Sequence, residues 1–284
     1  MKNLIFCWKL IPTASNYQVV ETIPDLKTAT LDDLSRHLPE GAYSTLRTYD
    51  HSRVIRIDEH IARLVDSAAR SNHPVELKPG HLKAVLSSIL SSNPFPDARI
   101  RITLDLTIDP GCLYVVLEEL HTPAEDAYAN GVCVITRHLH RENALAKLTT
   151  FIQTAAEIRS QMPTGIHETL MVGDDERILE GLSSNFFGVK NGVLLTAERG
   201  ILDGITRRIV LEIARQAGYP IRLEGISINE IVNLQECFIT SASRAVLPVV
   251  KINDQVIADG RPGRITRQLM TGFQEWIQRE AVEI

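Results

Sequence analysis

Residues 178–196 read ILEGLSSNFFGVKNGVLLT. Glu180 leads into Gly181, two serines and Asn185, and an apolar run resumes at Phe186, so the stretch predicts a strand, a tight turn of small residues and a second strand. A carboxylate carried from such a turn into an apolar region can hold a pyridine nitrogen protonated, as a pyridoxal-type electron sink requires. A surface hairpin with Glu180 in water fits the same letters equally well.

Downstream, the pattern predicts a helix over residues 206–216 closed by Gly218, strands over 221–224 and 237–240, and a last helix from about Arg264. Upstream lie a strand over 132–136, a helix after Lys147 and a strand over 168–172. The first part of the chain opens with a short apolar strand and a polar stretch. Residues 43–49 and 53–57 then suggest a hairpin around Asp50, His51 and Ser52, followed by a helix capped by Asp58 with Ile61, Leu64, Val65 and Ala68 on one face. A helix over 81–91 and strands in RIRITLDL (99–106) and CLYVVLEEL (112–120) complete it. The segment HTPAEDAYANG (121–131) has turn residues and little periodicity and suits a linker. These elements predict an α+β chain in two lobes, 1–120 and 132–284, rather than one doubly wound sheet.

Bulk properties narrow the function. The 284 residues are 44% hydrophobic and 23% charged with a net charge of −5, as in a soluble globular enzyme, and no basic block suits nucleic acid or an anionic membrane. Cys7, Cys112, Cys133 and Cys237 are scattered without metal-ligand spacing and read as reduced core thiols of a cytoplasmic protein. The apolar run 4–8 is too short for a signal peptide or a membrane span.

Further residues can carry chemistry. Lys147 in LAKLTTFI has apolar neighbours; a desolvated lysine has a lowered pKa and can form a Schiff base with an aldehyde, although a lysine snorkelling from a helix end explains it as well. In ILDGITRRIVLEIA, Gly204 precedes Ile205 and Thr206 at a helix amino end, a setting that attracts phosphate and that also occurs as a simple cap. ECFITSASRAVLPV presents Thr240, Ser241, Ala242 and Ser243 in another turn, a second wall for a phosphate. Arg63, one helical turn after His60 in EHIARL, adds a cation, or simply pairs with Glu59 or Asp66. His60, His138 and His140 read as packing or surface residues, and no metal site is expected.

Taken in order, EHIARL, LAKLTT, LEGLSSNFF, LDGITR and FITSASRAVLPV resemble the fold-type IV pyridoxal-phosphate enzymes, the class IV family of branched-chain and D-amino acid aminotransferases and aminodeoxychorismate lyases. The resemblance runs from about Gly41 to near the C-terminus. It implies a small α/β lobe, a larger lobe with a barrel-like sheet that carries the Schiff-base lysine, pyridoxal 5'-phosphate in the cleft between them, and a homodimer. It makes Lys147 the Schiff-base lysine and proton shuttle, and Glu180 the partner of the pyridine nitrogen. Arg63, Ile205, Thr206, Ser241 and Ala242 match phosphate-binding positions, and Ser183 and Ser184 the turn beside the ring. Arg101 matches an arginine that branched-chain enzymes place near the substrate side chain or acidic co-substrate, Arg47 sits on the strand facing the entrance, and Tyr43 is a candidate pocket wall; either arginine can grip a carboxylate with two hydrogen bonds, and both read equally well as surface residues of strands.

Two departures bear on activity. TLDDLSRHLPEG stands where relatives have an Asn-Gly turn and a glycine-rich loop, so the substrate entrance is rebuilt. Leu104 and Asp105 replace the Arg-Gly pair of D-amino acid enzymes and lyases, which favours transfer of an amino group between a branched-chain-like amino acid and a 2-oxo acid. A lyase on the same fold and a non-catalytic cofactor-binding relative are the alternatives.

Overall fold

Every second residue over 98–104 and 113–117 is aliphatic or small and can face one side, and the chain folds accordingly. The computed structural model describes residues 4–22 and 30–284. Residues 1–3 of the N-terminal apolar segment and 23–29 of the polar stretch lie outside the described residues. The chain divides into two units, the first comprising 1–121, 146–154 and 280–284, the second 122–145 and 155–279.

The first unit holds β1 (Ile5–Pro12), β2 (Tyr17–Glu21), α1 (Leu31–Ser35), β3 (Gly41–Arg47), α2 (Ile57–Arg70), α3 (Pro79–Ser91), β4 (Ala98–Asp105) and β5 (Leu113–Glu119). The strands form one antiparallel sheet in the order β2-β1-β5-β4-β3. Alternation sends Ala42, Leu46, Ile100, Ile102, Leu104, Val115 and Leu117 to one face, where they pack with Ile61, Leu64, Leu82 and Leu86 of α2 and α3. Tyr43, Arg99 and Arg101 therefore lie on the opposite face, where Cys7 and Val116 receive Leu31 and Leu34 of α1.

Three expectations for this unit are corrected. Residues 53–57 form no second strand: Tyr49 and Arg53 share a single bridge, Val54 bridges Val282, and the helix has begun by Ile57. Asp58 does not cap α2. Arg56 does, in a left-handed conformation (φ 50°) without a side-chain cap, and Asp58 sits in the first turn, where an acid suits the helix dipole. Lys147 belongs to this unit and not to the second, because its segment runs beside β3, with Tyr43 N–H donating to Lys147 O at 2.9 Å and Ala42 bridging Leu148.

The second unit adds α4 (Glu125–Asn130) and β6 (Val132–His138), and the helix α5 (Thr150–Ser160) begins in the first unit and ends in the second. There follow β7 (Ile166–Val172), β8 (Arg177–Gly181), β9 (Asn185–Lys190), β10 (Val193–Leu195), α6 (Ile205–Gln216), β11 (Ile221–Arg222), β12 (Ile226–Ser227), β13 (Glu236–Ser241), β14 (Ala245–Ile252), β15 (Gln255–Val256) and nearly all of α7 (Arg264–Glu280). Six strands, in the order β9-β13-β14-β6-β7-β8, close into a barrel-like ring through the pairing of Glu180 with Asn185. The expected linker is in part the helix α4; Tyr128 packs against the barrel core, and a Cβ at Gly131 (φ 80°) would lie 2.4 Å from Val250.

Phe187 and Phe238 face each other across β9 and β13, both fully buried, with ring centres 4.8 Å apart and planes 10° from parallel. Phe187→Ala should cost about 3–5 kcal/mol by deleting this pair from a packed interior. Chemical denaturation of the variant measures it, and a loss below about 1 kcal/mol would mean that the core collapses around the gap.

Candidate active site

The second unit gathers most of the expected site residues at one end of its barrel. Directly paired residues put their side chains on the same face, so Glu180, Asn185 and Thr240 form a row across β8, β9 and β13. Glu180 is 3% exposed, and three groups fix its carboxylate: Arg141, whose Nη2 donates to Oε1; Asn185, whose Nδ2 donates to Oε2 at 3.2 Å; and the Leu202 N–H, which reaches both oxygens at 3.1 and 3.2 Å. Asn185 also donates to Leu202 O at 2.8 Å. The solvated-turn alternative for Glu180 is thereby overturned.

The same row meets the amino end of α6. A Cβ at Gly204 would lie 2.1 Å from Asn185 Oδ1, so only glycine lets the helix approach this closely. No side chain caps α6; Ile205 and Thr206, both buried, open it, and its first N–H groups point out of the amino end as they do in any helix. Thr240 Oγ1 is buried with no hydrogen-bond partner among the protein atoms. An uncapped helix amino end beside an unsatisfied hydroxyl is a setting into which a phosphate fits.

Ser183, Ser184 and Ser241 are held by residues whose importance the sequence did not disclose. Glu168, 1% exposed on β7, accepts from Ser183 Oγ at 3.2 Å, Ser184 Oγ at 3.0 Å and Arg244 Nη2 at 2.8 Å through a single oxygen, Oε2. Arg244 also donates from Nη2 to Ser183 Oγ at 2.8 Å and from Nε to Ser241 Oγ at 3.1 Å. The turns 182–184 and 241–244, the latter including Ala242, are thus tied through one buried ion pair. Burial opposes charge on Glu168, but Arg244 and Arg159, with hydrogen bonds from Arg244 and Ser184, together outweigh it and hold the carboxyl below its ordinary range.

The first unit holds the others. Lys147 is half-buried, its N–H donates to Ser67 Oγ at 3.0 Å, and its Nζ stands 5.0 Å from the centre of the Tyr43 ring. Its main chain is fixed along β3 three residues before α5, so the picture of a lysine hanging from a helix end does not apply. Arg63 lies one turn before Ser67 on α2; Glu59 pairs with Arg56 and Asp66 with Arg70. His60 is a packing residue, its Nδ1 2.8 Å from Ser44 Oγ.

The two arginines expected to grip a substrate carboxylate have other partners. Arg47 pairs with Asp97 at 2.5 Å and lies on the Tyr49 ring. Arg101 pairs with Asp32 at 2.7 Å and lies on the Tyr43 ring at 4.8 Å. Sequence alone could flag Asn185 and Thr240 from the segments quoted, and Glu168 as an acid inside an apolar strand. It held no signal for Arg141, Arg244 or Asp32, whose partners are far away in the chain.

The Glu168 pair has a measurable signature. A carboxyl whose folded pKa is lowered adds stability that is complete above its unfolded pKa, near ~4.3, and is lost as pH falls through the folded value. Glu168→Gln leaves Arg244 without its anion and should cost roughly 3 kcal/mol at pH 7. Urea unfolding at pH 7 and again below pH ~4 should show the gap between wild type and variant narrowing in acid. An equal gap at both would mean that the charge of Glu168 contributes nothing.

The model of the class IV aminotransferases matches residues 41–252. A protein of Methanocaldococcus jannaschii assigned as a branched-chain-amino-acid aminotransferase is 29% identical over 83% of this chain and 86% of its own. The D-alanine aminotransferase of Bacillus licheniformis is 27% identical over 89% of this chain and 93% of its own. Among solved structures, a Thermotoga maritima protein assigned as a branched-chain amino acid aminotransferase superposes with a TM-score of 0.80 over 97% of this chain and 96% of that one, at 25% identity, which establishes the common fold. With three quarters of its length inside the family pattern and a fold-type IV architecture, the chain belongs to the class IV aminotransferases, enzymes that use pyridoxal 5'-phosphate.

Proposed function

We propose that this enzyme moves an amino group between an amino acid with a branched-chain-like side chain and a 2-oxo acid, with Lys147 as its catalytic amine. The observation that carries the reading is the fixed, buried carboxylate of Glu180 beside the uncapped amino end of α6, a pairing that suits a pyridine ring N–H at one end and a phosphate at the other. Glu180 accepts the ring N–H. The N–H groups of Ile205 and Thr206, the hydroxyls of Thr206 and Ser241, the Ala242 main chain and the Arg63 guanidinium bind the phosphate, and Ser183 and Ser184 line the ring.

When bound, pyridoxal 5'-phosphate supplies a protonated aromatic ring that draws negative charge away from the substrate α-carbon. The chain's own residues do the rest. Lys147 would hold the cofactor through Nζ and would move the proton at the substrate α-carbon. Tyr43 orients the amine through its ring and forms a wall of the substrate pocket. The names borne by the M. jannaschii and T. maritima proteins support the branched-chain-like preference. The reading extends to a homodimer working in the cytoplasm.

The test is an absorbance spectrum of the purified protein before and after addition of single L- and D-amino acids without an acceptor. A visible band that fades with branched-chain amino acids and is missing in Lys147→Ala is the expected result, with turnover in the variant reduced on the order of 10²- to 10⁴-fold. A band indifferent to every amino acid would replace amino transfer with elimination chemistry, and a protein that takes up no cofactor would end the proposal.

A further inference from the structure

Arg101 and Lys147 rest against the same ring, at 4.8 and 5.0 Å from the centre of Tyr43. The guanidinium is therefore no farther from the reactive amine than one aromatic ring and its contacts. Its polar edges are occupied: Nη1 donates to Ser35 Oγ at 2.8 Å, Nη2 to Asp32 Oδ1 at 2.7 Å and Nε to Thr45 Oγ1 at 3.3 Å. Asp32 Oδ2 takes Arg99 at 2.8 Å, and Arg99 reaches Glu118 at 3.4 Å. Two guanidiniums thus meet two carboxylates, and the cluster is neutral.

Asp32 and Ser35 both come from α1, the segment that replaces the family's usual entrance. Leu31 and Leu34 seat that helix on Cys7 and Val116, and the Leu31 N–H donates to Glu118 Oε2 at 2.6 Å, so the carboxylate is delivered to Arg101 by a docked element and not by a stray surface side chain. Burial opposes charge on Asp32, but Arg101 and Arg99 overcome it and keep the carboxyl far below its ordinary range, so it is an anion throughout the working pH range.

We propose that Asp32 is a specificity-determining residue: it occupies the Arg101 and Arg99 guanidiniums that would otherwise pair with an acidic side chain, so the enzyme takes amino acids with uncharged side chains and refuses dicarboxylic ones. A substrate carboxylate entering here meets an arginine already paired and an aspartate of its own sign. Discrimination then comes from repulsion and a filled binding edge, which reject a charge far more strongly than an apolar wall can sort similar side chains. The proposal rests on the aminotransferase reading and adds to it the class of substrate.

The experiment uses the cofactor-loaded enzyme and follows the fading of its visible band with leucine and with glutamate. Asp32→Asn keeps the shape and a hydrogen-bond acceptor for Arg101 while removing the charge. The expected result is a rise of about tenfold or more in the ratio of glutamate to leucine kcat/KM, carried mainly by KM for glutamate. Adding Arg101→Gln to Asp32→Asn should abolish the rise. A second readout needs no Arg101 variant: glutarate should inhibit Asp32→Asn more strongly than wild type, while pentanoate inhibits both alike. An unchanged ratio with unchanged glutarate inhibition, a rise that survives the loss of Arg101, or a wild type that already prefers glutamate overturns the assignment. A wild type whose band no amino acid fades refutes the aminotransferase reading itself, and the proposal with it.

Discussion

The pairing of Glu180 with Asn185 closes the six-stranded ring of the second unit and at the same place fixes a buried carboxylate. Asn185 serves both purposes because its side chain donates to Glu180 and to Leu202 O, while Gly204 lets the amino end of α6 come against its amide oxygen. A loosened closure would move the carboxylate and the helix end together. Barrel geometry and site geometry are thus one constraint, and a site built on paired strands and a helix end is more rigid than one carried on loops.

The elements that follow from local rules were legible. The run of Ile209, Val210, Ile213 and Ala214 behind Gly204 reads as an amphipathic helix, and α6 begins one residue before the expected start. The turn at Gly181, Ser183 and Ser184 reads from its small residues. The sequence misplaces Lys147 in the architecture: three residues along an edge strand carry no periodicity, and their return to the first unit rests on hydrogen bonds to Gly41 and Tyr43, about a hundred positions away. The helix inside the expected linker was illegible for a related reason, since α4 is held by Tyr128 on a distant core rather than by its own propensity.

Long-range ion pairs were the least legible part. Glu168 and Arg244 are 76 positions apart, and Asp32 and Arg101 are 69 apart. Arg244 and Asp32 taken alone read as surface charges, and nothing in the sequence connects either to Glu168 or Arg101. Burying one of them unpaired would be prohibitively costly, so each presence is explained only by its partner, and sequence order does not reveal which partner that is. The two pairs nevertheless act differently. The Glu168 pair ties two turns through serine hydroxyls and is almost wholly enclosed, whereas Asp32 retains about a third of its exposure and neutralises cations on an inner strand of the first sheet.

That difference bears on how a fold shared by enzymes of several specificities is tuned. Residues such as Glu168 tie two turns of the barrel together, so changing them endangers the scaffold itself. Arg101 lies on β4, equally rigid, yet its charge is balanced by Asp32 on a five-residue helix that Leu31, Leu34, hydrogen bonds and the Asp32 ion pairs attach to the sheet. Exchanging such a segment alters the field around Tyr43, on whose ring Lys147 also rests, without moving a strand. Because the local field decides whether a carboxylate can approach, selectivity can change while the barrel, Glu180 and the amino end of α6 stay where they are.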